Sequence, residues 1–134
     1  MSGVVTASRA EAAQTRLAAL GAALGGLGVV LGAFGAHALR ARVSPEMLEV
    51  YRTGVLYQLF HALALLALAG LRERVRRPSL VAALFGGGVL IFSGSLYLLA
   101  ITGTRAWGAV TPVGGVALIA GWFTVLCGLL AKQR

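Results

Sequence analysis

Charged and apolar positions fall into blocks along this chain. Every Arg, Lys, Asp and Glu lies outside four uncharged windows, Leu17–Leu39, Thr53–Leu71, Pro78–Thr104 and Ala106–Ala131, which hold 23, 19, 27 and 26 residues. About 20 predominantly apolar residues suffice for a helix to cross the ~30 Å hydrocarbon core of a bilayer. The pattern therefore predicts an all-α fold: a four-transmembrane-helix bundle of up-down topology. The spans are expected at about 17–38, 52–71, 79–101 and 111–131.

Helix-start signals refine these windows. Ser8 followed by Glu11 is a capping-box spacing, which places the start of the first helix near Arg9. Ser44-Pro45-Glu46 offers an N-cap serine, proline at the first helical position and an acid in the first turn. The second helix then runs to about Leu71 and exceeds the membrane thickness, so its first two turns stand in the interface. Arg76-Arg77-Pro78-Ser79 opens the third helix, and Gly103 is a plausible stop. Thr111-Pro112 opens the fourth by the same logic, and Trp107 in the short connection suits the aromatic belt.

Composition agrees with a membrane reading. Hydrophobic residues make up 58% of the 134 residues and charged ones 12%, against about 25% charged in soluble domains. The length leaves room for a single domain, 1–134, and no soluble module. The first window exceeds the ~7–15-residue apolar core of a signal peptide, so it is expected to be a permanent span. Basic residues follow the windows too: Arg9, Arg16, Arg72, Arg74, Arg76, Arg77, Lys132 and Arg134 fall on one side, and Arg40, Arg42, Arg52 and Arg105 on the other. That asymmetry places both termini in the cytoplasm. The net charge of +8 is spread over clusters that meet lipid head groups, with no basic stripe interleaved with aromatics, so nucleic acid is not a partner. The single cysteine, Cys127, excludes an intrachain disulfide and any multi-cysteine metal site.

Small residues recur at helical spacing. In the first helix Gly21, Gly25, Gly28, Gly32 and Gly35 step by four, three, four and three; in the fourth, Gly114, Ala117, Gly121, Thr124 and Gly128 step by three, four, three and four. Helices in lipid attract one another through close backbone approach at small residues, so both seams are expected to be packing faces.

The candidate chemistry lies on the second helix. Glu49, Thr53, Tyr57 and His61 are spaced four apart and form a slightly drifting row, with Gln58 beside it. The row starts at the outer surface and ends near mid-bilayer. One reading makes it a polar seam bonded to neighbouring helices. The other makes it a surface-connected pocket or proton path that ends on a titratable histidine. His37, at the outer end of the first helix, has Glu46, Glu49 and Tyr51 as its nearest expected partners. His61 stands ~13 Å deeper than Arg52, which argues against a shared metal or bis-histidine haem site. Ser93, Ser95 and Tyr97 read as structural hydroxyls. No nucleophile–base–acid set, phosphate loop or metal motif is present, so no enzyme activity and no cofactor are expected.

The strings LGAFGAH at Leu31–His37, TGVLYQLFHALALL at Thr53–Leu66, FSGSLYLLA at Phe92–Ala100 and TPVGGVALIAGW at Thr111–Trp122 resemble the YgdD-like family of small inner-membrane proteins (domain of unknown function 423). The resemblance implies a four-span protein of the bacterial plasma membrane, and it places His37, Thr53, Tyr57, Gln58 and His61 inside signature strings. It implies no activity. The resulting expectation is a non-enzymatic bundle in the lipid bilayer that serves as partner or assembly subunit, or as a homo-oligomer, with an outward-open polar pocket. The alternatives are a small proton-coupled carrier or channel that uses His61, and a haem- or quinone-binding component.

Overall fold

The computed structural model describes residues 2–71 and 75–131. It contains four long helices, α1 Ser2–His37, α2 Pro45–Gly70, α3 Pro78–Thr102 and α4 Ala106–Ala131, with one 3₁₀ turn at Leu39–Ala41. All four are long and apolar enough to span a membrane, and no strand occurs among the described residues. Large apolar side chains such as Val29, Phe60, Leu90, Val116 and Phe123 stand exposed on their outer faces, as lipid solvent requires.

Two helix boundaries match the local chemistry. The Ser44 hydroxyl accepts the Met47 N–H at 3.3 Å, with Pro45 in the first turn. Gly103 ends α3 at φ 68°, a left-handed geometry that glycine adopts without steric penalty, and its N–H bonds Leu99 O at 2.9 Å. Two boundaries differ from the sequence expectation. α1 is already helical at Ser2, so Ser8 lies inside it; no proline interrupts the segment, and the Ser8–Glu11 spacing suits a helix interior as well as a cap. α4 begins at Ala106, and Pro112 sits inside it. Its first turn is closed by Trp107 and Gly108 N–H groups on the Thr104 and Arg105 carbonyls. Pro112 withdraws one N–H from the ladder, which membrane helices tolerate where neighbouring hydroxyls satisfy the backbone.

Consecutive helices pack as antiparallel pairs, and α1 also touches α3; α1 and α4 flank the α2–α3 pair without packing together. A core of Leu17, Leu65, Val81, Phe85, Val89 and Leu118 draws on all four helices. The α1–α2 contact has a seven-residue rhythm. Gly21 lies against Leu65 and the Ala62 carbonyl, Gly28 against Leu59 and Gln58, and Gly35 under the Tyr51 ring. The α3–α4 contact is closer still: Gly114 meets the Phe92 backbone, Gly121 the Phe85 ring, and Gly88 the Leu118 side chain.

Candidate functional site

The buried stripe of α2 is Tyr51, Gly54, Gln58, His61, Ala62, Leu65 and Leu68. Steps of four drift by about 40° each on a 3.6-residue helix, so the row Glu49–Thr53–Tyr57–His61 turns about a third of the way around α2. Its members therefore have different surroundings. Glu49 is exposed and paired with Arg52 at 2.6 Å, and Thr53 is exposed with its hydroxyl on the Glu49 carbonyl at 3.0 Å. Tyr57 is 40% exposed, and His61 only 6%. Glu46 and His37 are also exposed, and among the described residues neither bonds the other.

Two side chains of α2 reach backbone carbonyls of α1 through the gaps left by glycines. Gln58 Nε2 donates to Leu24 O at 2.9 Å, and a Cβ at Gly28 would crowd that amide. The Tyr51 hydroxyl donates to Leu31 O at 2.8 Å, with its ring seated on Gly35. In each case the glycine is four residues beyond the accepting carbonyl, where a side chain would otherwise cover it. On its other face Gln58 Oε1 accepts the Tyr97 hydroxyl at 2.8 Å. One amide thus joins α1, α2 and α3. A second hydroxyl contact, Ser95 Oγ to Thr111 Oγ1 at 2.7 Å, joins α3 to α4.

His61 links α2 to α4. The Trp122 indole N–H donates to His61 Nε2 at 3.1 Å, and Nδ1 lies 2.7 Å from the Tyr57 carbonyl. A carbonyl can only accept and an indole N–H can only donate, so the ring is the Nδ1–H tautomer and both nitrogens are engaged. Phe85 meets the imidazole edge-on at 5.0 Å, and Phe85 and Trp122 lie 5.1 Å apart. The Tyr57 ring rests on Phe92 at 4.4 Å. A cavity of about 680 Å³ runs beside this cluster, lined by Leu56, Tyr57, Phe60, His61, Leu63 and Trp122 among others. It opens sideways between α2 and α4. Glu49 and Thr53 are not among its lining residues.

Trp122, Tyr51 and Tyr97 have larger roles here than sequence reasoning assigned. The signal for Trp122 is depth: it and His61 each stand sixteen residues beyond the first residue of their helices. α2 and α4 run the same way, so an indole donor and an imidazole acceptor meet at one level. Among the described residues no group of three or more His, Cys, Asp or Glu is placed to hold a metal ion.

Four apolar spans, with Tyr51, Gln58, His61 and Tyr97 bonded across helices, define an integral, multi-pass membrane protein. The family model described as Protein of unknown function (DUF423) matches residues 31–115, and the chain belongs to that family. It is 42% identical over 110 residues to the UPF0382 membrane protein YwdK of Bacillus subtilis, covering 80% of this chain and 89% of that one. The UPF0382 inner membrane protein YgdD of Escherichia coli K12 is 43% identical over 108 residues, covering 79% and 82%. The UPF0382 membrane protein SSP2132 of Staphylococcus saprophyticus is 41% identical over 110 residues, covering 81% and 92%. These names place the relatives in bacterial membranes, and the localisation is the bacterial inner membrane. None of the names specifies an activity. No solved structure matches the chain.

Proposed function

We propose that this protein is a non-enzymatic bundle that docks a partner membrane helix, from another protein or a second copy, in the α2–α4 groove. The Tyr57 hydroxyl carries the reading: it is partly exposed on the groove wall, and no hydrogen bond satisfies it among the described residues. Acyl chains offer a phenol no acceptor, whereas polar side chains of another helix do. The pocket is thus a lateral, largely apolar groove with the Tyr57 phenol on its wall. Glu49, Thr53, Glu46 and His37 belong to the outer membrane surface in this reading, with both termini cytoplasmic. The engagement of both His61 nitrogens supports a fixing role over proton exchange or haem ligation.

The test is a photo-crosslinking residue at Leu63, on the groove, and at Val29, exposed on α1, in native membranes. The expected result is one discrete adduct from position 63, weakened by Tyr57→Phe and absent from position 29. Equal adducts from both faces, or none from position 63, would reject the docking role. The adduct mass separates a second copy from another protein. For orientation, an impermeant thiol reagent should label Arg40→Cys on intact cells and leave Ser8→Cys unlabelled.

A further inference from the structure

A second cavity, of about 420 Å³, lies at the far end of the bundle, where the start of α3 leans against the end of α4. Arg76 and Arg77 form one wall, Phe123, Thr124 and Cys127 the other, and the buried Gly128 lies between them. Gly128 closes the two helices together here: the Arg76 backbone N stands 3.6 Å from where its Cβ would be.

The two ends of this cavity differ in chemistry. Arg77 directly precedes α3, and α4 ends at Ala131, so the arginines stand at membrane-surface level, where lipid phosphates lie. Both arginines are exposed, and neither has a carboxylate partner among the described residues. Of the four carboxylates in the chain, Glu46 and Glu49 belong to the opposite surface, Glu11 is on α1, and Glu73 lies outside the described residues. The other end is apolar. Phe123 is eight residues before Ala131, or ~12 Å deeper along α4, and its ring and Cys127 are exposed there. The Thr124 hydroxyl is turned back onto the Ala120 carbonyl at 2.8 Å, which leaves that wall only the weakly donating Cys127 thiol.

We propose that this cavity binds an anionic phospholipid, its phosphate held by Arg76 and Arg77 and one acyl chain laid along Cys127 and Phe123. Guanidinium forks match phosphate oxygens in pairs, and basic pockets between membrane helices on the cytoplasmic side recognise anionic head groups. A soluble anion would leave the apolar shaft unused, and a zwitterionic lipid, although it offers the same phosphate, would bring its own ammonium beside the two guanidiniums, which repel it. The site is independent of the α2–α4 groove and of its occupant.

Native mass spectrometry of the full-length protein, mixed with equimolar phosphatidylglycerol and phosphatidylcholine of matched chains, tests the site. The wild type should retain phosphatidylglycerol preferentially. Arg76→Gln/Arg77→Gln should cut that preference about tenfold or more, whereas Arg40→Gln/Arg42→Gln, at the opposite surface, should keep it. Cys127→Trp, which fills the shaft and spares the charges, should also reduce retention. Unchanged preference in the Arg76/Arg77 variant, equal loss in the Arg40/Arg42 variant, or an indifferent Cys127→Trp would each overturn the site. Displacement of the lipid by millimolar inorganic phosphate would reassign the cavity to a free anion and overturn it as well.

Discussion

The α1–α2 and α3–α4 pairs both rest on small residues, yet they secure their alignment differently. Between α3 and α4 the fit is mainly steric, with one hydroxyl contact, Ser95 to Thr111, towards one end: Gly114 admits the Phe92 backbone, Gly121 the Phe85 ring, and Gly88 the Leu118 side chain. Between α1 and α2 the glycines also expose carbonyls, and Tyr51 and Gln58 occupy them. A steric fit tolerates small sliding until atoms collide, whereas a directional bond to a particular carbonyl selects one register. The polar residues of α2 are, in this light, alignment devices, and α2 is the helix to which the others are indexed.

The largest break in the comparison should come from Gly114→Ala. Its methyl group would coincide with Phe92 backbone atoms, which cannot swing aside, so a loss of about 3 kcal/mol is expected. Thermal unfolding in detergent should show it, beside near-wild-type behaviour of Gly94→Ala, where the added methyl meets open space. Next comes Gln58→Leu, which strands the Tyr97 hydroxyl and should cost about 1–2 kcal/mol. Adding Tyr97→Phe should recover part of that loss in a double-mutant cycle; strict additivity would deny the coupling. Tyr51→Phe removes a single bond and keeps the ring on Gly35, for about 0.6 kcal/mol by the same unfolding assay. Smallest should be His61→Phe, which keeps the aromatic packing and frees the indole. Its signature is a shift in Trp122 emission, read in a Trp107→Phe background, with little change in stability.

The spans were legible because a charge in hydrocarbon is costly, which confines Arg, Lys and Glu to the connections. The Ser44 cap and the Gly103 stop were legible because each answers a local backbone need. The starts of α1 and α4 were not, since Ser8 and Thr111-Pro112 carry cap-like spacing that a continuing helix also accommodates. The row on α2 divides for a geometric reason. Spacing by four keeps neighbours adjacent but carries Glu49 and Thr53 away from the face of His61, whereas the seven-residue step from Tyr51 to Gln58 holds one face. The role of Trp122 was not legible because its partner is 61 residues away, and nothing local to either residue marks the meeting.

The spacing of the α1 notches has a mechanical corollary. Leu17, Leu24 and Leu31 each precede a glycine by four, and the opposing α2 positions are Leu65, Gln58 and Tyr51. Shifting the hairpin by seven residues, ~10.5 Å, would realign notches with teeth but put the amide or the phenol where leucine belongs. An offset of four residues would bring Leu65 and Gln58 opposite Gly25 and Gly32, which are only half-buried, and would leave Tyr51 without a notch. The hairpin therefore behaves like a keyed ratchet with one latched stop, and a force along α1 would be resisted until it disengages abruptly.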